Sequence, residues 1–264
     1  MVERASGIGT SAVRRSSDAA VRAPGEASET QDGKSENADG VAAVDRALLI
    51  AATLERHAAP MKLADLSRAT GLYKSTLLRL LASLQRASLV IRRSDQTYVL
   101  GHLVFRLGRA YEAAHQLKEC VYPVLVWLVG EGSESASFHV TQDRKHRLCM
   151  FRIDSKHPTL DRIAAGDLLP MDRGAPAKVL RQLPSPDLVH TSFGEREASC
   201  AAVSAPVFAP DGSVAGALSL SGPAERFTAS AVKHMKKLIL KAAREATEAI
   251  GGQWPEQTGA SRRA

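Results

Sequence analysis

Residues Ala69 to Gln85 read ATGLYKSTLLRLLASLQ. Leu77, Leu80, Leu81 and Leu84 recur at i, i+3, i+4 and i+7, so they share one helical stripe and predict a buried face. Gly71, ahead of that helix, marks a turn of about four residues. Lys74, Ser75 and Thr76 open the helix and Arg79 follows one turn on, all away from the leucine stripe. Short hydroxyls can approach phosphates and base edges, and a guanidinium can fork onto guanine. Lys74 is better suited to phosphate than to bases. That face therefore has the chemistry of a DNA-reading helix.

The flanking segments fit the same frame. Upstream, DRALLIAATLERH from Asp45 predicts a first helix with Leu48, Leu49, Ile50, Ala52 and Leu54 inward, ended by Pro60. KLADLSRAT predicts a short second helix with Leu63 and Leu66 inward. Downstream, LVIRRSDQTYVLG reads as two β-rich runs around Ser94-Asp95-Gln96, a hairpin. Helix, helix, tight turn, helix, hairpin is the order of a winged helix-turn-helix, whose second motif helix enters the major groove. Arg92 and Arg93 flank the hairpin turn, where a wing would follow the phosphate backbone or the minor groove.

Charge is concentrated in the same block. Residues 45–118 hold twelve Lys/Arg against five Asp/Glu, whereas residues 1–44 hold five against seven and residues 119–264 eighteen against sixteen. A compact basic domain on a near-neutral body points to a polyanion partner. Residues 1–43 are rich in Ala, Ser, Gly and acidic groups, lack aromatics, and are expected to be a disordered tail.

Other function classes find little support. Cys120, Cys149 and Cys200 are widely spaced, with no CxxC, which fits a reducing cytoplasm and offers no zinc framework. The aliphatic run VYPVLVWLVG is too short for a bilayer span, and the N-terminus lacks the apolar core of a secretion signal. No membrane partner is expected. GIGTSA lacks the third glycine and preceding strand of a dinucleotide motif, and there is no HExxH, P-loop or EF-hand. His139, His146, Cys149 and Asp154 lie close together, and a thiol–imidazole pair would need His139 and Cys149 on one side of a hairpin. The turn length leaves that parity open, and no oxyanion-hole segment or GxSxG elbow accompanies it. No catalytic residue, metal or cofactor is assigned.

The second half reads as mixed α and β. HLVFRLGRAYEAAHQLKECVYPVLVWLV predicts a connecting helix broken before Pro123. SASFHVTQDRKHRLCMFRID alternates like two strands around Gln142 to His146, and SAPVFAPDGSVAGALSLSG is a second hairpin around Pro210-Asp211-Gly212. AERFTASAVKHMKKLILKAAREATEAI is an amphipathic helix, and a free tail is expected from Gly251. Ser219 and Ser221 stand two apart on one strand, so both hydroxyls share a face, either a small polar pocket or solvent.

The stretch from Val44 to Gly101 resembles the DNA-binding domain of the IclR family of bacterial transcription regulators, through ATGL-x-KST at Ala69 to Thr76 and Y-x-LG at Tyr98 to Gly101. GDLLPMDRGAPAK and SAPVFAPDGSVAGALSLSGP are more loosely similar to two segments of the family's second domain, and the likeness runs to Ile250. The resemblance implies an α+β chain. It would comprise a winged helix-turn-helix at 44–102, a linker helix at 103–118 and a GAF-like antiparallel sheet flanked by helices at 119–250, with a tail at 251–264. It implies a transcriptional regulator on near-palindromic double-stranded DNA, as a homodimer or dimer of dimers, with a small organic effector. By position, Leu169, Met171, Ala175, Ala202, Ser219 and Ser221 would line the effector pocket. The chain departs from the family in a shortened segment between Leu180 and Ser192, and in Pro176, which lacks a backbone N–H. The sequence is also compatible with a second class, a ligand-independent or architectural winged-helix protein.

Overall fold

The computed structural model describes residues 40–57, 59–114, 116–132, 134–159 and 161–255. The expected N-terminal disorder and most of the C-terminal tail lie outside these residues.

The N-terminal unit contains α1 (Ala42–His57), α2 (Leu63–Thr70), α3 (Lys74–Arg86), β1 (Val90–Arg92) and β2 (Tyr98–Leu100). Ile50, Leu54, Leu66, Leu77, Leu81, Val90 and Tyr98 form one core, in which α3 contributes its leucine stripe. β1 and β2 pair antiparallel, and Met61 bridges to Tyr98, so the hairpin closes back onto the segment before α2. Gln96 in the turn is left-handed at φ 66°, and Asp95 accepts the Thr97 N–H at 3.1 Å.

The first helix differs from its sequence reading. Ile50, Thr53 and Leu54 face the core, whereas Leu48, Leu49 and Ala52 are exposed. Two apolar stripes compete on this helix. The one aligned with Ile50 and Leu54 packs on α2 and α3, and Thr53 joins it by giving its hydroxyl to Leu49 O at 2.7 Å.

α4 (His102–Ala114) and α5 (Leu117–Gly130) follow. The break lies between them, not before Pro123, which sits inside α5. Proline there removes one intrahelical donor. Val121, Val124, Leu125 and Leu128 are buried around it, and their packing outweighs that loss.

The C-terminal unit is a six-stranded antiparallel sheet in the order β5-β4-β3-β8-β7-β6. Its strands are β3 (Ser135–Thr141), β4 (His146–Ile153), β5 (Leu168–Pro170), β6 (His190–Phe193), β7 (Cys200–Phe208) and β8 (Val214–Pro223). The short α6 (Ala175–Leu180) precedes β6, and α7 (Ala229–Ala249), N-capped by Thr228, closes the fold. Alternation gives the sheet two chemistries. Ala136, Phe138, Val203, Val207, Leu218 and Leu220 pack with α5 and α7 in an apolar core. Thr247 ties α7 to the sheet by accepting the Phe208 N–H at 3.1 Å. The expected tail starts within the described residues, where Trp254 meets Phe208 edge to face with centroids 5.7 Å apart.

Candidate functional site

The first site is the outer face of α3. Gly71 ends α2 in the left-handed region at φ 70° and donates its N–H to Ser67 O, so α3 begins three residues later at a fixed angle. With the leucines inward, Lys74, Ser75 and Arg79 are exposed and Thr76 is half-buried. Tyr73 is the N-cap and supplies no side-chain hydrogen bond, so the first-turn N–H groups keep their affinity for an anion such as phosphate. On the hairpin, Arg92 lies 5.8 Å from the Tyr98 ring centroid. Arg93 is 3.9 Å from Asp95, with both side chains about half exposed, so that pair contributes little and leaves the guanidinium free to leave it. Hydrogen bonds from Thr97 hold the Asp95 carboxyl below its usual range.

The second site is the sheet face away from the apolar core. Ser137, His139, Ser204, Ser219 and Ser221 point there and are buried. Ser204 donates to Ser219 Oγ at 2.8 Å, and Ser137 Oγ lies 2.9 Å from His139 Nε2. The solvent-face alternative for Ser219 and Ser221 does not hold. A cavity of about 30 Å³ lies under α6 and the Asp161 segment, with Arg147, Arg196, Ser192 and Pro176 in its lining. That is room for about one or two waters.

Charge in this cavity is organised around one carboxylate. Asp161 accepts from Ser221 Oγ at 2.9 Å, pairs with Arg152, and has Arg196 at 3.6 Å. Arg147 gives Nη1 to the carbonyls of Pro170 and Arg173. Its Nε, like His139 Nδ1, is buried with no partner among the described residues. Burial, then the charge of Arg196, pulls the Arg147 guanidinium down to about 10.

Of the residues carried over from the resemblance, Ala202, Ser219 and Ser221 line this cavity. Leu169, Met171 and Ala175 are buried beside it but do not line it. Leu169 pairs with Arg147 across β4 and β5, and the Ala175 N–H goes to Ser192 Oγ at 3.0 Å. The sequence reading missed Arg147, Arg152, Asp161 and Arg196. The one usable signal was Arg147 and Cys149 alternating on a strand, where a charged residue shares the face of a thiol.

His139 and Cys149 do face each other across β3 and β4. They do not form a nucleophile. His139 is engaged with Ser137, and burial pushes the Cys149 thiol up to about 12.

The IclR helix-turn-helix domain matches residues 43–94, and the C-terminal domain of the bacterial transcriptional regulator IclR matches residues 189–248. The chain belongs to the IclR family of bacterial transcriptional regulators. Solved IclR structures share its fold. A proposed IclR regulator from Silicibacter sp. TM1040 is 23% identical, with a TM-score of 0.69 over 81% of this chain and 98% of its own. An IclR regulator from Alicyclobacillus acidocaldarius is 16% identical, with a TM-score of 0.68 over 80% and 100%. An IclR homolog from Microbacterium hydrocarbonoxydans, solved with 4-hydroxybenzoate, is 16% identical, with a TM-score of 0.67 over 79% and 99%. Among curated proteins, none matches the chain in sequence. As an IclR-family protein it is a DNA-binding transcriptional regulator with a helix-turn-helix unit and a regulatory C-terminal domain. Among the described residues no helix is long and apolar enough to cross a membrane.

Proposed function

We propose that this IclR-family regulator reads a near-palindromic operator through Lys74, Ser75, Thr76 and Arg79. Arg92 and Arg93 would anchor the wing on phosphates, and a small molecule in the serine-lined cavity would shift operator affinity. The observation that carries the reading is the pairing of two surfaces on one chain. One is an exposed polar face at the start of α3. The other is a buried polar cavity in the sheet domain. The Microbacterium relative holds 4-hydroxybenzoate, which supports a small organic effector here. A cavity of about 30 Å³ is too small for an aromatic acid as it stands. The effector is therefore smaller, or the Asp161 segment moves to admit it.

A second copy of the chain completes the DNA-binding form. Val44 and Leu48 on α1 and Phe105 and Leu107 on α4 are apolar and exposed, Phe105 at 71%. Such residues need a cover. A two-fold dimer would set two α3 helices about one DNA turn apart. The protein works in the cytoplasm, without catalysis of its own.

Fluorescence anisotropy on fragments upstream of its own gene and its neighbours tests the reading. Preferential binding to one fragment, with its midpoint moved by a small molecule, is the expected result. Equal binding to every fragment with a steep salt dependence would identify an architectural protein instead.

A further inference from the structure

The cavity has a polar edge without a partner among the described residues. Among the described residues, Arg147 donates two hydrogen bonds, both from Nη1. Nε is unpartnered among the described residues although Arg147 is only 2% exposed. Nη2 lies beside Gly174, where a Cβ would stand 3.4 Å from it. The Nε–Nη2 side of a guanidinium is one of the two edges that take an oxyanion with two parallel hydrogen bonds. His139 lines the same cavity at 1% exposure, and its Nδ1 is also unpartnered. In the tautomer in which Nε2 accepts from Ser137, the neutral ring presents Nδ1–H as a further donor, the form that an entering anion selects.

Charge balance points the same way. Of the two carboxylates in the lining, Asp161 is taken by Arg152 and Arg196, and Glu195 by Lys178. Among the described residues no carboxylate forms an ion pair with Arg147, and Asp172, the carboxylate whose charge it feels, is paired with Arg173. A buried cation without a counter-charge is costly, and an anion that enters removes that cost. The first three positions at the start of α6 do not compete for the anion. The Gly174 N–H goes to Glu195 and the Ala175 N–H to Ser192, and Pro176 has none.

Resting on the reading of this cavity as a ligand site, we propose that the free edge of Arg147, with His139 beside it, binds a compact oxyanion. The ion is a short carboxylate or an inorganic oxyanion of only a few heavy atoms, because the space is about 30 Å³. Arg147 would thereby link the ligand to the 170–173 segment, whose carbonyls it already holds.

The test is thermal melting of the full chain at fixed ionic strength with formate, acetate or inorganic phosphate, and with acetamide as the neutral match for acetate. A saturable rise in Tm with at least one anion and none with acetamide is expected. The responding anion identifies the source as carboxylate or inorganic. Arg147→Gln should weaken the response by about 30-fold, and Arg147→Lys, which keeps the charge but not the fork, by a smaller factor. Because phosphate can also bind the DNA-reading face, Lys74→Ala/Arg79→Ala is the control and should keep the response. If Arg147→Gln does not fold, Arg147→Lys and this control decide. No response to any anion, a response unchanged in both Arg147 variants, or one lost in the control overturns the site. Operator binding is measured on the same samples. Anion binding without an operator effect keeps this site and removes the sensor reading. An operator response to a neutral compound, with none to anions, keeps the sensor and overturns this site.

Discussion

Arg152 and Asp161 form an ion pair with side-chain exposures of only 3% and 1%. Asp161 also takes the Ser221 hydroxyl, so one carboxylate joins β4, β8 and the segment after β4. Removing it takes the buried counter-charge from Arg152 and Arg196 and leaves them only the half-exposed Asp154 and Glu197. Asp161→Ala should destabilise the sheet domain by about 3–5 kcal/mol. Urea denaturation checks it. The double variant Asp161→Ala/Arg152→Met should recover part of the loss, since the worst of the uncompensated charge is then gone. A double variant less stable than the sum of the singles would refute that cause.

Gly216 lies flat against the Phe138 ring, so close that any Cβ there would overlap it. Phe138 is fully buried in the core between the sheet and α5 and α7, so it has nowhere to go. Gly216→Ala should cost about 1–3 kcal/mol as overpacking. Combining it with Phe138→Leu should cost less than the two changes separately. Equal melting temperatures for wild type and Gly216→Ala would show that the ring can shift freely.

What the sequence disclosed follows from how local each feature is. The helix-turn-helix rests on a glycine, a leucine period and a hairpin, all within neighbouring residues, and it was legible. The orientation of α1 was not, because Leu48 and Ile50 are both apolar and only the tertiary contact chooses between them. Pro123 marked a break by a sound local rule, which four buried neighbours on α5 override. Ser219 and Ser221 were visible as a pair on one strand face. Asp161 and Arg147 were not, since a lone charged residue in sequence looks like surface. Ser221, which gives Asp161 its hydroxyl, lies 60 residues away, and the Pro170 carbonyl that Arg147 holds lies 23 away. Short β5, α6 and β6 carry too few residues to show a period.

His139 gives the fold a pH dependence with a definite sign. Burial, then the charges of Arg147, Arg152 and Arg196, hold its imidazole well below the usual range. The unfolded chain takes up that proton below about pH 6.5, while the folded chain does not. The unfolded state then binds more protons, so stability falls as pH drops from about 6.5. His190, lowered chiefly by burial, acts in the same direction. The neighbouring Cys149, pushed up to about 12, stays a thiol throughout. His139→Gln should therefore flatten the stability slope between about pH 5 and 6.5 and leave the His190 remainder. Urea midpoints at several pH values measure it, and identical slopes for the two proteins would exclude His139 as the source.

Arg79 and Arg92 should part company on DNA. Arg79 projects from the second turn of α3, on the face opposite Leu77 and Leu81, where on the proposed reading a side chain would reach base edges. Arg92 sits at the end of β1 beside Tyr98, on a wing that would follow the backbone. Arg79→Ala should cost about 1–3 kcal/mol on the preferred operator and much less on random DNA, which is the signature of a base contact. Arg92→Ala should weaken binding to both DNAs alike and lower the slope of log affinity against log salt by about one, the signature of a phosphate contact. Anisotropy titrations of each variant on both DNAs, repeated at three salt concentrations, separate the two roles. If Arg79→Ala weakened both DNAs equally, the guanidinium would be a phosphate clamp, and base reading would fall to Ser75 and Thr76.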